Sequence, residues 1–364
     1  MNITIVGGGN VGTQIAVHCA AKGHYVTIFT SKPQLFSEKI EIVNENKEII
    51  LSGKTQCVTD NPVKAFSNTE LIFITVPSFY IEDISKIIKL VIKENVKICI
   101  VPGTGGGECN FINGIKNKNV VVFGLQRVPS VARLTQYGKQ VCAVGYRKEL
   151  CVGALPNKYT IECNKIIENI FDIKSIPLPN YLNVTITPSN PILHTTRLKT
   201  LFKDYKDGKV YSKIPLFYED WNNETSDLLL KCDEEVQNIC RKLKCFDLKY
   251  VKSLKEHYEV NNSQELTDKI KSIKGFKGLK TPMIKIDNGF IPDFNSRYFT
   301  ADFPYGLSIL IQIAKFVNVD VTNMCETLTW YHSIIKKNNN VVEDFDFAKY
   351  GITNKKDFEK FYLM

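Results

Sequence analysis

A strand-like run followed by three spaced glycines lies near the start of the chain. Ile3–Val6 leads into Gly7-x-Gly9-x-x-Gly12, and a helical pattern follows. Gly7 permits a tight turn, Gly9 lets the backbone approach a pyrophosphate, and Gly12 lets the helix pack closely on the strand. Backbone N–H groups at the start of such a helix bind the anion. The alternative is a glycine-rich turn without a ligand. The residues predicted to hold a dinucleotide are Gly7, Gly9, Asn10, Val11 and Gly12.

The end of the second predicted strand bears on the choice of coenzyme. An NAD site usually places Asp or Glu about 20 residues after the loop, where it bonds the ribose 2′-hydroxyl. Thr30, Ser31 and Lys32 occupy that place here, so two hydroxyls and a cation replace the carboxylate. Such groups bind a 2′-phosphate that an acid would repel. We therefore expect NADP(H) to be favoured over NAD(H), although residues of other loops could still reach the hydroxyl.

Two further segments follow apolar runs that resemble strands. Ligands of open α/β sheets bind at the carboxyl ends of the strands. Val76 and Pro77 end one run in a turn, and Gly103 opens a glycine-rich stretch, 103–107, after another. Glycines allow close backbone approach to a nicotinamide or substrate. We expect these three residues to contact the cofactor, while an ordinary connection is the alternative for the glycine-rich stretch.

A histidine in the second half stands in a helix-start pattern. Asn190 suits the N-cap and Pro191 the first helical position, so His194 falls near the end of the first turn. The positive end of the helix dipole disfavours an imidazolium there. A neutral imidazole can accept a proton near neutral pH, as a general base must. The alternative is a histidine that only packs at a domain junction.

Two charged residues further along the chain could work with this histidine. The planar guanidinium of Arg297 suits a substrate carboxylate, whereas the alternative is a solvated surface arginine paired with an acid. Asp302 could accept the Nδ1–H of His194 and so fix its tautomer. Because Asp302 also precedes an apolar helical run, it could instead be an N-cap.

The elements that position these residues follow from hydrophobic periodicity. Short apolar runs alternate with helical patterns in the first half, which predicts a doubly wound parallel α/β sheet. The predicted strands are Ile3–Val6, Tyr25–Phe29, Leu71–Val76, Ile98–Val101 and Val120–Phe123, and the helices there are Gln14–Lys22 and Ile81–Ile92.

The second half reads as helical, and a proline-containing stretch, 175–180, predicts a stiff linker before it. We therefore expect two domains, a dinucleotide-binding domain at 1–182 and an all-helical substrate and catalytic domain at 183–364. The helices predicted in the second half are Asp227–Leu243, Ser263–Ile273, Leu307–Val317 and Val321–Ile335.

Composition excludes several classes of protein. The 364 residues are 44% hydrophobic and 23% charged, as in globular proteins, and no uncharged apolar run is long enough for a membrane helix. The net charge of +9 is spread thinly, so nucleic acid is a weak alternative and an anionic small-molecule ligand fits at least as well. Eleven scattered cysteines without a Cys-x-x-Cys pair, and a start without a secretion signal, favour a cytoplasmic protein without a metal site.

Four blocks of the sequence, in this order along nearly the whole chain, resemble the opine dehydrogenases (the octopine/nopaline dehydrogenase family). The second block is a diverged form of the family's Pro-x-x-x-Arg stretch. The blocks are the N-terminal glycine loop, Leu125-Gln-Arg-Val-Pro129-Ser-Val-Ala-Arg133, Asn190-Pro191-x-x-His194, and Arg297-Tyr298-x-x-x-Asp302-x-Pro304-x-Gly306.

This resemblance implies a Rossmann domain and a helical catalytic domain, with the substrate in the cleft between them. It implies a reversible, NAD(P)H-dependent condensation of an amino acid's amine with an α-keto acid, commonly pyruvate, through an imine. The residue matching His194 is then the acid/base, Asp302 its partner, and Arg297 a ligand of a substrate carboxylate. We expect Asn190 and Arg133 to bind substrate as well, and the enzyme to be a homodimer.

Two other functions remain open at this point. A reductase of the ketopantoate reductase or glycerol-3-phosphate dehydrogenase kind would rely on a lysine in its helical domain. Lys199, Lys213 and Lys280 are the candidates, and none stands in a convincing motif. A non-catalytic NADP(H)-binding sensor would need the glycine loop but not His194, Asp302 and Arg297.

Overall fold

The computed structural model describes residues 1–114, 119–337 and 343–364. The strands are β1 (Asn2–Val6), β2 (Tyr25–Phe29), β3 (Lys39–Val43), β4 (Ile49–Lys54), β5 (Cys57–Thr59), β6 (Leu71–Ile74), β7 (Lys97–Ile100), β8 (Val121–Leu125), β9 (Val131–Gln136), β10 (Gln140–Val144), β11 (Glu149–Leu155), β12 (Lys174–Pro177), β13 (Met283–Ile286) and β14 (Gly289–Pro292). The α-helices are α1 (Asn10–Ala21), α2 (Pro62–Phe66), α3 (Ile81–Val91), α4 (Gly107–Gly114), α5 (Thr160–Phe171), α6 (Leu182–Thr185), α7 (Asn190–Phe202), α8 (Asn223–Lys242), α9 (Leu254–Tyr258), α10 (Ser263–Ser272), α11 (Arg297–Thr300), α12 (Ser308–Phe316), α13 (Thr322–Lys337) and α14 (Lys355–Tyr362).

The chain forms two compact units, and the first contains both ends of the sequence. Unit 1 is Met1–Thr185 with Glu359–Met364, and unit 2 is Ile186–Phe358. The last six residues therefore join unit 1, whereas the sequence placed them in the second domain. Tyr362 explains this difference, because its ring is fully buried and its hydroxyl donates to Glu108 Oε1 at 2.6 Å.

The main sheet of unit 1 has the predicted architecture. Among the described residues its strand order is β12-β11-β8-β7-β6-β1-β2-β5. Neighbouring strands are parallel except β11, which runs antiparallel to β8. The five predicted strands occur as β1, β2, β6, β7 and β8, and the interior ones are buried, as strands covered on both faces must be. The doubly wound fold is confirmed.

Unit 1 also contains a second sheet that the sequence analysis did not predict. Its strand order is β4-β3-β10-β9, and β4 packs against α1. These strands are short and mix charged with apolar side chains, as in Lys39-Ile-Glu-Ile-Val43, so their periodic signal is weak.

The predicted linker at 175–180 is wrong. Lys174–Pro177 forms β12, an edge strand that pairs in parallel with β11, and the N–H of Leu178 donates to the carbonyl of Val152 at 2.8 Å. Pro177 is tolerated because it ends an edge strand, where a missing N–H donor costs no ladder bond on the outer side.

Unit 2 is helical, with one addition. The long helices α7, α8 and α13 pack on one another, and α12 contacts α8 and α13. The second domain is not all-helical, however, because β13 and β14 form a two-stranded antiparallel hairpin. Its two-residue turn, Asp287-Asn288, is followed by Gly289 at φ +141°, a conformation that favours glycine.

In residues 1–114, 119–337 and 343–364, no helix combines the length and the apolar character needed to cross a bilayer.

Candidate active site

The helix that carries His194 begins one residue earlier than predicted. Asn190 is the first residue of α7 and is exposed, while Ser189 takes the capping position without a side-chain hydrogen bond. The prediction that Asn190 caps the helix is therefore wrong. Pro191 lies in the first turn, where its missing N–H has no intrahelical partner to lose. His194 is the fifth helical residue, and its side chain is 8% exposed.

Both ring nitrogens of His194 have partners. Nδ1 lies 2.8 Å from Asp302 Oδ2, and Nε2 lies 2.9 Å from the hydroxyl of Tyr218. A carboxylate can only accept, so Nδ1–H is the donor to Asp302. In the neutral ring Nε2 is then the acceptor, and the Tyr218 hydroxyl donates to it.

Asp302 does not act as the N-cap that was the alternative. It precedes a π-helical turn, Phe303–Leu307, and its side chain makes no capping bond there. Its carboxylate, 17% exposed, instead meets His194. A close approach of Gly306 to Pro191 brings the two segments together, since a Cβ on Gly306 would lie 2.9 Å from the Pro191 Cβ.

Aromatic rings surround the imidazole. Tyr298 and Phe217 meet it edge-on, at centroid distances of 4.5 and 5.6 Å. Tyr218 is itself stacked on Phe276 at 4.0 Å. Because such rings exclude water, a positive charge on His194 would interact with Asp302 at low dielectric.

Tyr218 was not predicted, and a buried arginine holds the segment that carries it. Arg197 is 1% exposed, and its Nε and Nη2 donate to the carbonyls of Phe217 and Asp220 at 2.9 and 2.7 Å. Burial lowers the pKa of Arg197 to about 10. No motif in the sequence pointed to Tyr218, and Arg197 lies three residues after His194 on the same face of α7.

Arg297 lies next to this cluster along the chain. It is exposed at the start of α11, and its guanidinium carbon is 5.9 Å from the ring centroid of Tyr298, which itself packs on His194. Among the described residues no carboxylate lies within ion-pair distance of Arg297, so the surface ion pair considered above does not form. The structure thus brings His194 and Asp302 together, and it leaves Arg297 open to a ligand.

The glycine loop of unit 1 has the geometry of a dinucleotide cradle. Gly7 has φ +108°, a conformation that favours glycine, and a Cβ on Gly12 would lie 1.9 Å from the Gly7 carbonyl oxygen. Gly9 faces open space, with no described atom within 4 Å of where its Cβ would be. The loop therefore leaves room for a pyrophosphate at the N-terminus of α1. Asn10 is used within the protein, since its Oδ1 accepts from the N–H of Leu134 at 2.8 Å.

The end of β2 lies beside this loop. Thr30 is buried, and its Oγ1 lies 3.2 Å from where a Cβ on Gly8 would be. Ser31 and Lys32 are exposed, so both are available to a phosphate.

The residues that follow β6 lie beside the glycine loop, whereas Gly103, which follows β7, packs against other parts of unit 1. Val76 lies beside Gly7, 3.1 Å from where a Cβ would be, and the half-buried Pro77 follows it. Gly103 is buried; its N–H donates to Leu125 at 2.8 Å, and its carbonyl accepts from Tyr181 at 3.0 Å. The close approach that Gly103 permits is thus to the protein's own chain.

Arg133 lies in unit 1, on β9. Its Nη1 donates to the carbonyl of Ala132 at 2.8 Å. Its role in substrate binding, like the cofactor contact of Gly103, stays a prediction. In the part of the chain that the structure describes, no group of three or more His, Cys, Asp or Glu side chains could hold a metal ion.

Two family models match separate segments of the chain. Residues 177–335 match the model described as NAD/NADP octopine/nopaline dehydrogenase, alpha-helical domain. Residues 2–120 match the model described as NAD-dependent glycerol-3-phosphate dehydrogenase N-terminus. The first match contains His194, Tyr218 and Asp302, and the second contains the glycine loop.

Relatives extend the likeness over nearly the whole chain. Octopine dehydrogenase of Mizuhopecten yessoensis is 22% identical over 93% of this chain and 90% of its own length. Tauropine dehydrogenase of Arabella iricolor is 25% identical over 92% and 91%. Octopine dehydrogenase solved with NADH and L-arginine superposes with a TM-score of 0.82 at 20% identity, covering 98% of this chain and 97% of that one. The same enzyme solved with NADH and pyruvate also superposes at 0.82, with 21% identity and the same coverage. The structural matches establish a shared fold.

Proposed function

The chain belongs to the opine dehydrogenase family, and on that premise we propose that it reduces the imine formed between an amino acid and an α-keto acid, using NAD(P)H. It is an NAD(P)-dependent oxidoreductase that acts on CH–NH bonds. The observation that carries the proposal is the 2.8 Å contact between His194 and Asp302 within the region matching the octopine/nopaline dehydrogenase model. Pyruvate is the proposed keto acid, because a relative of the same fold was solved with it.

The residues of the glycine loop fit the cofactor. The open space at Gly9 and the N–H groups at the start of α1 suit a pyrophosphate, and Gly7 and Gly12 keep the loop compact. When bound, the nicotinamide supplies the hydride that reduces the imine carbon.

His194 moves the proton that the condensation requires. Addition of the amine to the keto carbon forms a carbinolamine, and loss of its hydroxyl as water needs a proton. The imidazolium of His194 is the source of that proton, and Asp302 stabilises it through the Nδ1–H bond while it exists. In the reverse direction the neutral ring removes a proton from the attacking water.

Arg297 is the proposed ligand of a substrate carboxylate. Its exposed guanidinium, open to a ligand beside Tyr298, suits a bidentate contact. Such a contact orients the imine so that one face meets the hydride, a proximity effect. Asn190, exposed at the start of the helix that bears His194, is a second proposed substrate contact.

We propose NADP(H) as the preferred coenzyme. Support comes from the end of β2, where exposed Ser31 and Lys32 follow the buried Thr30 and no carboxylate stands in the turn. A Thr30→Asp, Lys32→Ala double variant should shift the ratio of NADPH to NADH dissociation constants towards NADH, as measured by nucleotide fluorescence. An unchanged ratio would refute this preference.

A steady-state assay tests the proposed reaction. NADPH oxidation by pyruvate should require an added amino acid, and a screen of amino acids should identify the amine. His194→Ala should abolish turnover and leave NADPH binding intact. Oxidation with the keto acid alone would instead favour the reductase alternative.

The alternatives have less support from the described side chains. Lys213 and Lys280 are exposed, and Lys199 lies 3.8 Å from Glu326, so none occupies a secluded site beside His194. A sensor without catalysis would have no need of the His194–Asp302 pair. We also propose a cytoplasmic location, supported by the scattered cysteines, and a homodimer, which light scattering of the purified protein would test.

A further inference from the structure

The second nitrogen of His194 is occupied by a residue outside the family's acid/base pair. Nδ1 faces Asp302, so proton exchange with a substrate must use Nε2. Yet the Tyr218 hydroxyl lies 2.9 Å from Nε2. Either Tyr218 is displaced during the reaction, or the proton passes through its hydroxyl.

The packing of Tyr218 argues against displacement. Tyr218 is 4% exposed, and its ring stacks on Phe276 at 4.0 Å and lies nearly parallel to Trp221 at 6.1 Å. Moving it out would break contacts among rings that are themselves buried or half-buried, and stacked pairs of this kind are favourable beyond their area.

The backbone on either side of Tyr218 is also held. Arg197 bonds the carbonyls of Phe217 and Asp220, and its own chain is anchored in α7 beside His194. Because these are charge-assisted hydrogen bonds inside the protein, the segment cannot shift without leaving a buried cation short of partners. The same helix thus presents the imidazole and fixes the phenol that meets it.

We propose that Tyr218 relays the proton between His194 and the substrate, a role that rests on the proposed function. In carbinolamine dehydration, Nε2–H passes its proton to the Tyr218 oxygen while the Tyr218 O–H gives its proton to the departing hydroxyl. The carbon–oxygen bond breaks, water leaves, and the nitrogen lone pair forms the carbon–nitrogen double bond of a protonated imine, which carries the positive charge that the imidazolium gave up and is the species that accepts the hydride. Tyr218 begins and ends as a neutral phenol, and His194 ends neutral. Heavy-atom distances of about 2.6–3.2 Å are those required for such transfer.

Tyr218→Phe tests the relay, because it keeps the stacked ring and removes only the hydroxyl. We expect kcat to fall by about 100-fold or more, the loss typical of a removed acid/base group, with the NADPH dissociation constant unchanged. Tyr331→Phe is the matched control: Tyr331 is also buried and stacked, on Phe303 at 4.2 Å, and its hydroxyl has no hydrogen-bond partner among the described residues. It should keep wild-type kcat.

A second measurement uses the unaltered enzyme. A relay moves two protons together, so the rate in mixtures of H₂O and D₂O should follow a curved dependence on deuterium fraction. Tyr218→Phe with wild-type kcat, or a linear or absent dependence in the wild type, overturns the relay. His194→Ala with unchanged turnover would instead overturn the proposed function, so the two failures are distinguishable.

Discussion

Replacing Asp302 by asparagine removes one charge and leaves the side-chain size almost unchanged. The Oδ2–Nδ1 distance is 2.8 Å, and the carboxylate is only 17% exposed, so solvent replaces little of the lost interaction. A hydrogen bond to a charged group contributes about 1.5–3 kcal/mol. Loss of this hydrogen bond from the imidazolium form of His194 should therefore lower kcat by about 10- to 150-fold.

The fall is larger if the introduced amide turns its NH₂ group towards the ring. That nitrogen would then donate to Nδ1 of His194 and force the proton onto Nε2, the wrong tautomer for accepting a proton there; in a serine protease the equivalent change costs about 10⁴-fold. Either way we expect the loss in turnover and not in coenzyme binding, because the Asp302 carboxylate bonds His194 and is not part of the dinucleotide loop.

The assay is NADPH oxidation with pyruvate and the best amino acid, with coenzyme binding measured separately. Asp344→Asn is a matched control, since Asp344 pairs with His332 at 3.1 Å in the same unit but at another place in the chain. Wild-type kcat in Asp302→Asn, or an equal loss in Asp344→Asn, would refute the reasoning.

Three further predictions follow from single positions. Gly9→Ala should weaken NADPH binding and leave the melting temperature unchanged, because the added Cβ meets no described atom. Gly12→Ala should lower both the NADPH affinity and the melting temperature, because its Cβ would lie 1.9 Å from a backbone oxygen. Equal melting temperatures of the two variants would contradict this. Burial raises the pKa of Asp233 from 3.8 to about 6, so its stabilising contribution is complete below pH 3.8 and lost as the pH rises through about 6. Between pH 3.8 and about 6, the free energy of unfolding of the wild type, measured in urea, should fall by about 3 kcal/mol relative to that of Asp233→Asn. Plots of unfolding free energy against pH that run parallel for the two proteins would contradict this. Arg297→Met should raise the KM for the acid substrates and leave NADPH binding unchanged; an unaltered KM would exclude the carboxylate contact.

Local patterns made the centre of the fold predictable. The core strands are continuous apolar runs, and the glycines at 7, 9 and 12 act within a few residues of one another, so their spacing carries the information. The hairpin β13–β14 and the edge strand β12 were missed because they lack such a run: Lys285 interrupts β13, and β12 is Lys174-Ser-Ile-Pro177. The prolines near β12 also outweighed its tertiary pairing with β11.

The candidate site was predictable only in part. His194 and Asp302 stand in short patterns that suggest chemistry, and they meet at 2.8 Å although 108 residues separate them. Tyr218 stands in no such pattern: it reaches His194 because Arg197 secures the backbone around it. Contacts made by buried side chains with distant backbone carbonyls leave no periodic trace in a sequence.

The destination of the hydride is the most direct test of imine reduction. With NADPH deuterated at C4 of the nicotinamide, pyruvate and the preferred amino acid should give a secondary-amine dicarboxylate, with deuterium on the carbon that was the keto carbon, as identified by mass spectrometry and NMR. Deuterated lactate together with unchanged amino acid would contradict the account.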